Sequence, residues 1–185
     1  MTPDEAIAAM IDALGAGGIP FMLVGSQVTN FYGVARMTQD ADFVLQVESG
    51  RVLQIVDHLG PPFRLERQMS FELITATTRW CVSLTGTPFS FDLFLLSDDP
   101  HDRERFRHRR QVQILGRQVA IPTVEDTIIT KLRWSQQGRR PKDIEDVRNV
   151  IAVQGGRIDW EYVAAWCQQH GTEGLLEGLR RRAAE

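Results

Sequence analysis

Apolar positions along the chain fall into two kinds of segment, short runs with period two and longer stretches with helical spacing, so strands and helices must share one fold. The pattern predicts a helix from about Pro3 to Leu14, a strand over 20–24, a short helix over 26–32, a strand over 41–47 and a helix over 50–59. Strands follow near 71–76, 79–85 and 89–96. A hairpin is expected at 112–115 and 118–121 around Gly116-Arg117, and helices near 124–137, 141–153, 159–170 and 173–182 close the chain.

Polar residues inside the apolar strands carry the candidate chemistry. Asp40-Ala41-Asp42 opens the strand that ends at Val47. Strand side chains alternate faces, so at a rise of about 3.3 Å per residue the two α-carbons stand about 6.6 Å apart on one face. Leaning inward, such a pair can hold two divalent cations about 3.5–4 Å apart, as phosphoryl transfer requires. Oxygen-only ligation suits Mg²⁺, which takes one or two carboxylates and completes its shell with water and phosphate. A solvated strand edge would also carry two acids.

Gly25-Ser26 sits where the strand Phe21–Val24 turns into a helix. Backbone N–H groups at a helix start favour phosphate, and glycine lets a ligand approach the main chain; a turn with a helix cap is the plainer reading. Asp92 lies in the run Phe89-Ser90-Phe91-Asp92-Leu93-Phe94. A carboxylate there must be paired with an arginine, held by backbone N–H groups, protonated or bound to metal.

Val24-Gly25-Ser26, then Asp40-Ala41-Asp42-Phe43, then Asp92 resembles the nucleotidyltransferase superfamily of DNA polymerase beta type, closest to its small bacterial stand-alone, antitoxin-like and AbiEii-like branches. A second block, IPTVEDTIITKLRWSQQGRRPKDIEDVRNV over 121–150, is similar to the P-x-x-E-D-x-x-x-x-K-L … R-x-K-D-x-x-D segment of those branches. The resemblance implies an α/β fold, a mixed β-sheet packed with helices over about 1–122 and a helical segment over about 123–185, forming one domain. It implies Asp40, Asp42 and Asp92 as catalytic metal ligands for two Mg²⁺ ions, with Mn²⁺ as a substitute. Gly25 and Ser26 would cradle phosphate, and Lys131 would face the triphosphate or remain a solvated helix lysine. Arg36 and Thr38 would touch phosphate or pin their loop, with Arg36 expected on the acidic cluster or the substrate. Asp143 is expected in a structural role at a helix start.

The implied activity moves a nucleoside monophosphate from an NTP to an acceptor hydroxyl on tRNA, a partner protein or a small molecule, releasing pyrophosphate. The alternative is a catalytically degenerate binding protein, such as one half of a toxin–antitoxin pair; Ala41 between the aspartates and Gln27-Val28 after Gly-Ser depart from the usual pattern. Two unit charges 4 Å apart repel by about 4 kcal/mol at an effective dielectric of 20, so an aspartate cluster without a cation should raise its own pKa values or recruit arginine.

Composition narrows the rest. A chain of 185 residues is large enough for its own core. Cys81 and Cys167 stand far apart and suggest neither a disulfide framework nor a zinc site. No secretory or spanning apolar run is present, so a cytoplasmic protein is expected. The net charge of −3 carries no global nucleic-acid signal. Two basic runs, 98–110 with arginines at 103, 105, 107, 109 and 110, and Arg180-Arg181-Arg182, read as solvated helix faces or as grips for RNA phosphates. His101 and His108 show no ligand-like pattern. Trp134 and Trp166 are core residues or a dimer face.

Overall fold

Six strands form the main sheet of the computed structural model, which describes residues 1–66, 68–138 and 141–183: β1 (Phe21–Val24), β2 (Asp40–Leu45), β3 (Phe63–Leu65), β4 (Ser70–Glu72), β5 (Thr77–Leu84) and β6 (Ser90–Leu95). Their order is β1-β2-β6-β5-β3, with β4 also paired to β5. Among the described residues only β2 and β6 pair in parallel. A separate hairpin joins β7 (Arg110–Ile114) to β8 (Arg117–Ile121).

Alternation in the central strands divides the sheet into a dry face and a polar one. Ala41, Phe43 and Leu45 of β2 and Phe91 and Leu93 of β6 join the main core with Ile7, Met10 and Leu14 of α1 (Pro3–Ala16) and Val52, Ile55 and Val56 of α3 (Ser49–Leu59). Each such side chain contributes about 1.5–3 kcal/mol on burial. The opposite face carries Asp40, Asp42, Ser90 and Asp92, and next to them a smaller apolar cluster of Met22, Val24, Val44 and Phe94. Phe106 of α4 (Pro100–His108) and Trp134 of α5 (Val124–Gly138) close over that cluster. Trp134 is therefore packed in the fold.

α5 packs on α6 (Pro141–Gln154) and α7 (Trp160–His170), and α8 (Glu173–Ala183) packs on α6 and α7. Thr123 caps α5 by accepting from the Asp126 N–H at 3.1 Å. Asp126, fully buried, then ties three helices together: its Oδ1 meets His101 Nε2 of α4 at 3.2 Å and accepts from the Tyr162 hydroxyl of α7 at 2.9 Å. Burial pushes the Asp126 carboxyl up, but the bonds from His101, Tyr162 and Thr123 hold it below the usual range. The His101 ring lies 4.9 Å from Trp166 and 5.3 Å from His170. Both His101 and Trp166 are thus scaffold residues.

Some elements differ from the sequence pattern. The strand expected over 71–76 stops at Glu72, whose carboxylate accepts from the backbone N–H of Ile74 and Thr75 and bends the chain into a turn. β3 is too short to show a period and depends on its ladder with β5. The hairpin turn is Leu115-Gly116, both at positive φ, one residue earlier than expected. Within the basic run 98–110, residues 100–108 form α4, capped by Asp99 with Pro100 in the first turn, and its His101, Asp102, Arg105 and Phe106 are buried rather than solvated; Arg110 opens β7. Among the described residues no helix is long and apolar enough to cross a membrane.

Candidate active site

Two strand pairings and one glycine assemble the acidic site. β1 lies antiparallel to β2 with Val24 opposite Asp42, so the turn into α2 (Gly25–Tyr32) begins beside that carboxylate. Gly25 has φ +68°, and a Cβ there would overlap Asp42 Oδ2 and stand 2.8 Å from Asp42 Cγ. Glycine alone leaves that space open. On the other side β6 runs parallel to β2 with Asp92 as the register partner of Asp42 and Ser90 as that of Asp40. Neighbouring strands are about 4.8 Å apart, so Asp42 and Asp92 are lateral neighbours and Asp40 lies two residues along the same face.

These residues line one cavity of about 160 Å³ between the polar sheet face and α5. Gly25, Ser26, Asp40, Asp42, Asp92 and Lys131 all contribute to its wall, and Thr75, Thr77, Arg79, Phe94, Thr130 and Trp134 line it as well. The Thr130 hydroxyl is buried without a hydrogen-bond partner, an orphan that a ligand or water would satisfy.

Arg36 and Thr38 act on the lining residues. The Thr38 hydroxyl donates to the Asp40 carboxylate. Arg36 Nη2 donates to Ser26 Oγ at 3.1 Å, while Nε and Nη2 grip Asp146 at 2.9 and 3.0 Å. Asn30 fixes that geometry by bonding the Arg36 carbonyl and N–H at 2.8 and 3.0 Å. The acidic partner of Arg36 is thus Asp146 of α6, outside the strand aspartates.

Lys131 Nζ lies between two carboxylates, donating to Asp143 Oδ1 and Asp146 Oδ2 at 2.9 Å each. Asp143 and Asp146 are three residues apart on α6 and so share a face. Burial pushes the Asp146 carboxyl up, yet the Arg36 and Lys131 bonds outweigh it and hold the pKa below the usual carboxylate range. The same pairing raises the Arg36 guanidinium further. This network connects α5, α6 and the segment before β2.

Two residues bonded to the expected site residues, Asp146 and Arg79, were not assigned from the sequence. Asp146 is the final aspartate of the R-x-K-D-x-x-D pattern, which was the available signal. Arg79 of β5 gave none: its Nη1 meets Asp92 Oδ2 at 3.1 Å because β5 and β6 pair in one particular register.

The donor set fits Mg²⁺ in its chemistry. The donors are oxygens, and the start of α2, which has no side-chain cap, stands beside them where helix N–H groups favour phosphate. Among the described residues no three His, Cys, Asp or Glu side chains gather to ligate a single ion in this conformation, Asp40 being held by Thr38 and Asp92 by Arg79. Such an ion would draw much of its shell from phosphate and water, as Mg²⁺ commonly does.

The basic runs are largely matched by acids of their own. Arg103 pairs with Asp98, Arg105 with Asp102 and Arg107 with Glu104, and the Arg109 guanidinium lies 4.1 Å over the Phe106 ring. Arg180 stacks 4.5 Å over Trp160, and the Arg182 side chain lies outside the described residues.

No protein-family model and no curated protein sequence matches the chain. Solved structures do. The antibiotic-resistance factor ANT(2″)-Ia, crystallised with adenylyl-2″-tobramycin, aligns over 98% of this chain and 99% of its own at 18% identity and a TM-score of 0.64. The lincosamide antibiotic adenylyltransferase LnuA, lincomycin-bound, aligns over 83% of this chain and 98% of its own at 10% identity and a TM-score of 0.55. An antigenic nucleotidyltransferase-like protein from Paracoccidioides brasiliensis aligns over 97% and 93% at 16% identity and a TM-score of 0.54. The mixed sheet packed against helices thus matches the fold of these solved structures, a nucleotidyltransferase-like fold.

Proposed function

We propose that the protein transfers a nucleoside monophosphate from an NTP to a hydroxyl of a small molecule, releasing pyrophosphate. The observation that carries this reading is the Asp42–Asp92 register beside Gly25, which sets two carboxylates against the strand-to-helix turn at Gly25-Ser26. Gly25 and Ser26 would receive the phosphates through backbone N–H groups, and Lys131 would add positive charge at the cavity wall. Asp92 would accept the proton of the acceptor hydroxyl as its oxygen bonds to the α-phosphorus and the bond to the bridging oxygen breaks. Magnesium held by Asp40, Asp42 and Asp92 would neutralise the phosphates and the charge that develops during transfer. The residues otherwise contribute by positioning.

A small acceptor is favoured over RNA by the charge balance of α4, whose Arg103, Arg105 and Arg107 are matched by Asp98, Asp102 and Glu104. ANT(2″)-Ia with adenylylated tobramycin and LnuA with lincomycin suggest hydroxylated antibiotics as the first compounds to try.

The test is a thermal-shift panel of the four NTPs with and without Mg²⁺ on wild type and Asp40→Asn. A ligand at a hundred times its Kd adds about 2.7 kcal/mol. A shift that needs both components and is lost in the variant supports the reading. Labelled NTP with aminoglycosides, lincosamides and tRNA then identifies the acceptor. Absence of any nucleotide shift would reject it in favour of a degenerate fold that acts by binding a partner.

A further inference from the structure

We propose that Arg79 is a resident counter-ion for Asp92 that gives way when a divalent cation enters the site. The inference rests on the metal-dependent reading above and concerns a residue that lies outside the acidic motif. Asp42 and Asp92 are register partners on neighbouring parallel strands, and Asp40 stands on the same face, so three like charges crowd one side of the sheet. Arg79 answers them from β5. It is the register partner of Phe94, two pairs along the ladder from Cys81 opposite Asp92 and so on the same face as Asp92, and reaches diagonally to place Nη1 3.1 Å from Asp92 Oδ2. Its Nε donates to Ser70 Oγ of the edge strand β4 at 2.9 Å, which fixes the guanidinium at the cavity wall.

Exposure separates this pair from the other ion pairs lining the cavity. The Arg79 and Asp92 side chains are 40% and 23% exposed, whereas Arg105 and Asp102 are 9% and 3% exposed and Lys131 and Asp143 11% and 2%. A buried pair is expensive to break because its remaining partner stays desolvated, but a water-accessible pair holds weakly and both partners can return to solvent. Among the described pairs of the cavity wall, the one made by a strand aspartate is thus the one most readily exchanged. An entering cation replaces the guanidinium at Asp92, and its affinity is lowered by the cost of that exchange.

Binding of Mn²⁺, followed by the electron paramagnetic resonance of the free ion without nucleotide, tests this on wild type, Arg79→Gln, Arg79→Lys, Ser70→Ala and Asp42→Asn. The expected result is about tenfold tighter binding in Arg79→Gln, near wild-type binding in Arg79→Lys, a smaller tightening in Ser70→Ala, and loss in Asp42→Asn. Arg79→Gln should also melt lower without cation and gain more than wild type on adding it. Wild-type binding with unchanged or weaker affinity in Arg79→Gln and Ser70→Ala would overturn the counter-ion role and leave the metal site standing. No Mn²⁺ binding in any variant would overturn both. Ser70→Ala keeps the guanidinium charge and so remains informative if Arg79→Gln folds poorly.

Discussion

The carboxylate of Asp42 rests against the α-carbon of Gly25, in space that any side chain at residue 25 would occupy. Gly25→Ala must therefore displace Asp42, shift α2, or both, and the φ of +68° adds about 1–2 kcal/mol of strain. The expected outcome is at least a hundredfold loss of nucleotidyl transfer, with no joint NTP and Mg²⁺ shift in melting temperature. Circular dichroism should still report a folded protein. Wild-type turnover in this variant would show that Asp42 need not stay where it is.

Thr38 donates its hydroxyl to Asp40 and so holds the first carboxylate of the pair in place. In Thr38→Val the shape is kept and the donor is lost. The Mg²⁺ concentration giving half-maximal activity should rise about tenfold, in line with losses seen when outer-shell partners of metal ligands are removed. The melting temperature without ligand should change little, since Thr38 is only partly buried.

Asp146 receives Lys131 and Arg36 at once. Removing it in Asp146→Ala leaves a mostly buried ammonium with one carboxylate and strips Arg36 of its bidentate partner. Breaking a buried pair in this way costs about 3 kcal/mol or more, to be read from urea unfolding at pH 7. Because Arg36 also bonds Ser26, KM for the NTP should rise in the same variant. Loss of stability with unchanged KM would confine the network to the scaffold.

On the acid side stability should depend on pH in two windows. His170 is pushed down to about 4, first by burial and then by the charges of Arg133 and His101, and burial lowers His101 as well. Unfolded histidine binds its proton near pH 6.5, so between about 6.5 and 4 the unfolded chain holds more protons and stability falls as pH falls. Solvent screening at the half-buried His170 ring moderates the effect. Asp146 adds a second loss: its folded pKa is depressed, so its contribution is present above about 3.8 and disappears as pH drops through the folded value. Melting temperature against pH should be flat from about 6.5 to about 8 and fall again at alkaline pH, where burial holds the Cys81 and Cys167 thiols protonated beyond their unfolded range. His170→Gln should reduce the slope in the upper acid window alone, and an unchanged slope would exclude His170 as its source.

Much of the acidic site was legible because it depends on local periodicity. Asp40 and Asp42 share a face by strand geometry, Gly25-Ser26 falls at a strand-to-helix junction, and Asp92 is conspicuous as a charge inside an apolar run. The expectation that such a cluster recruits arginine holds for Asp92, but which arginine does so follows from the β5–β6 register, which no local pattern encodes. Arg36 and Lys131 illustrate the same limit. Both were singled out, yet their shared partner Asp146 comes from a helix more than a hundred residues beyond Arg36. The His101–Asp126–Tyr162 knot was invisible because each member is unremarkable until three helices bring them together.

The parallel pairing of β2 with β6 has a further consequence for how this architecture can vary. The chain between those two strands, residues 46–89, runs through α3 and re-enters the same sheet as β3, β4 and β5 beyond β6, and its turn at Thr75 borders the cavity. The spacing of the three aspartates is set by the β2–β6 ladder. The α3 stretch and the turn between β4 and β5 can therefore change length without altering the register of Asp42 with Asp92, whereas β5 cannot, because it pairs with β6 and carries the arginine that meets Asp92.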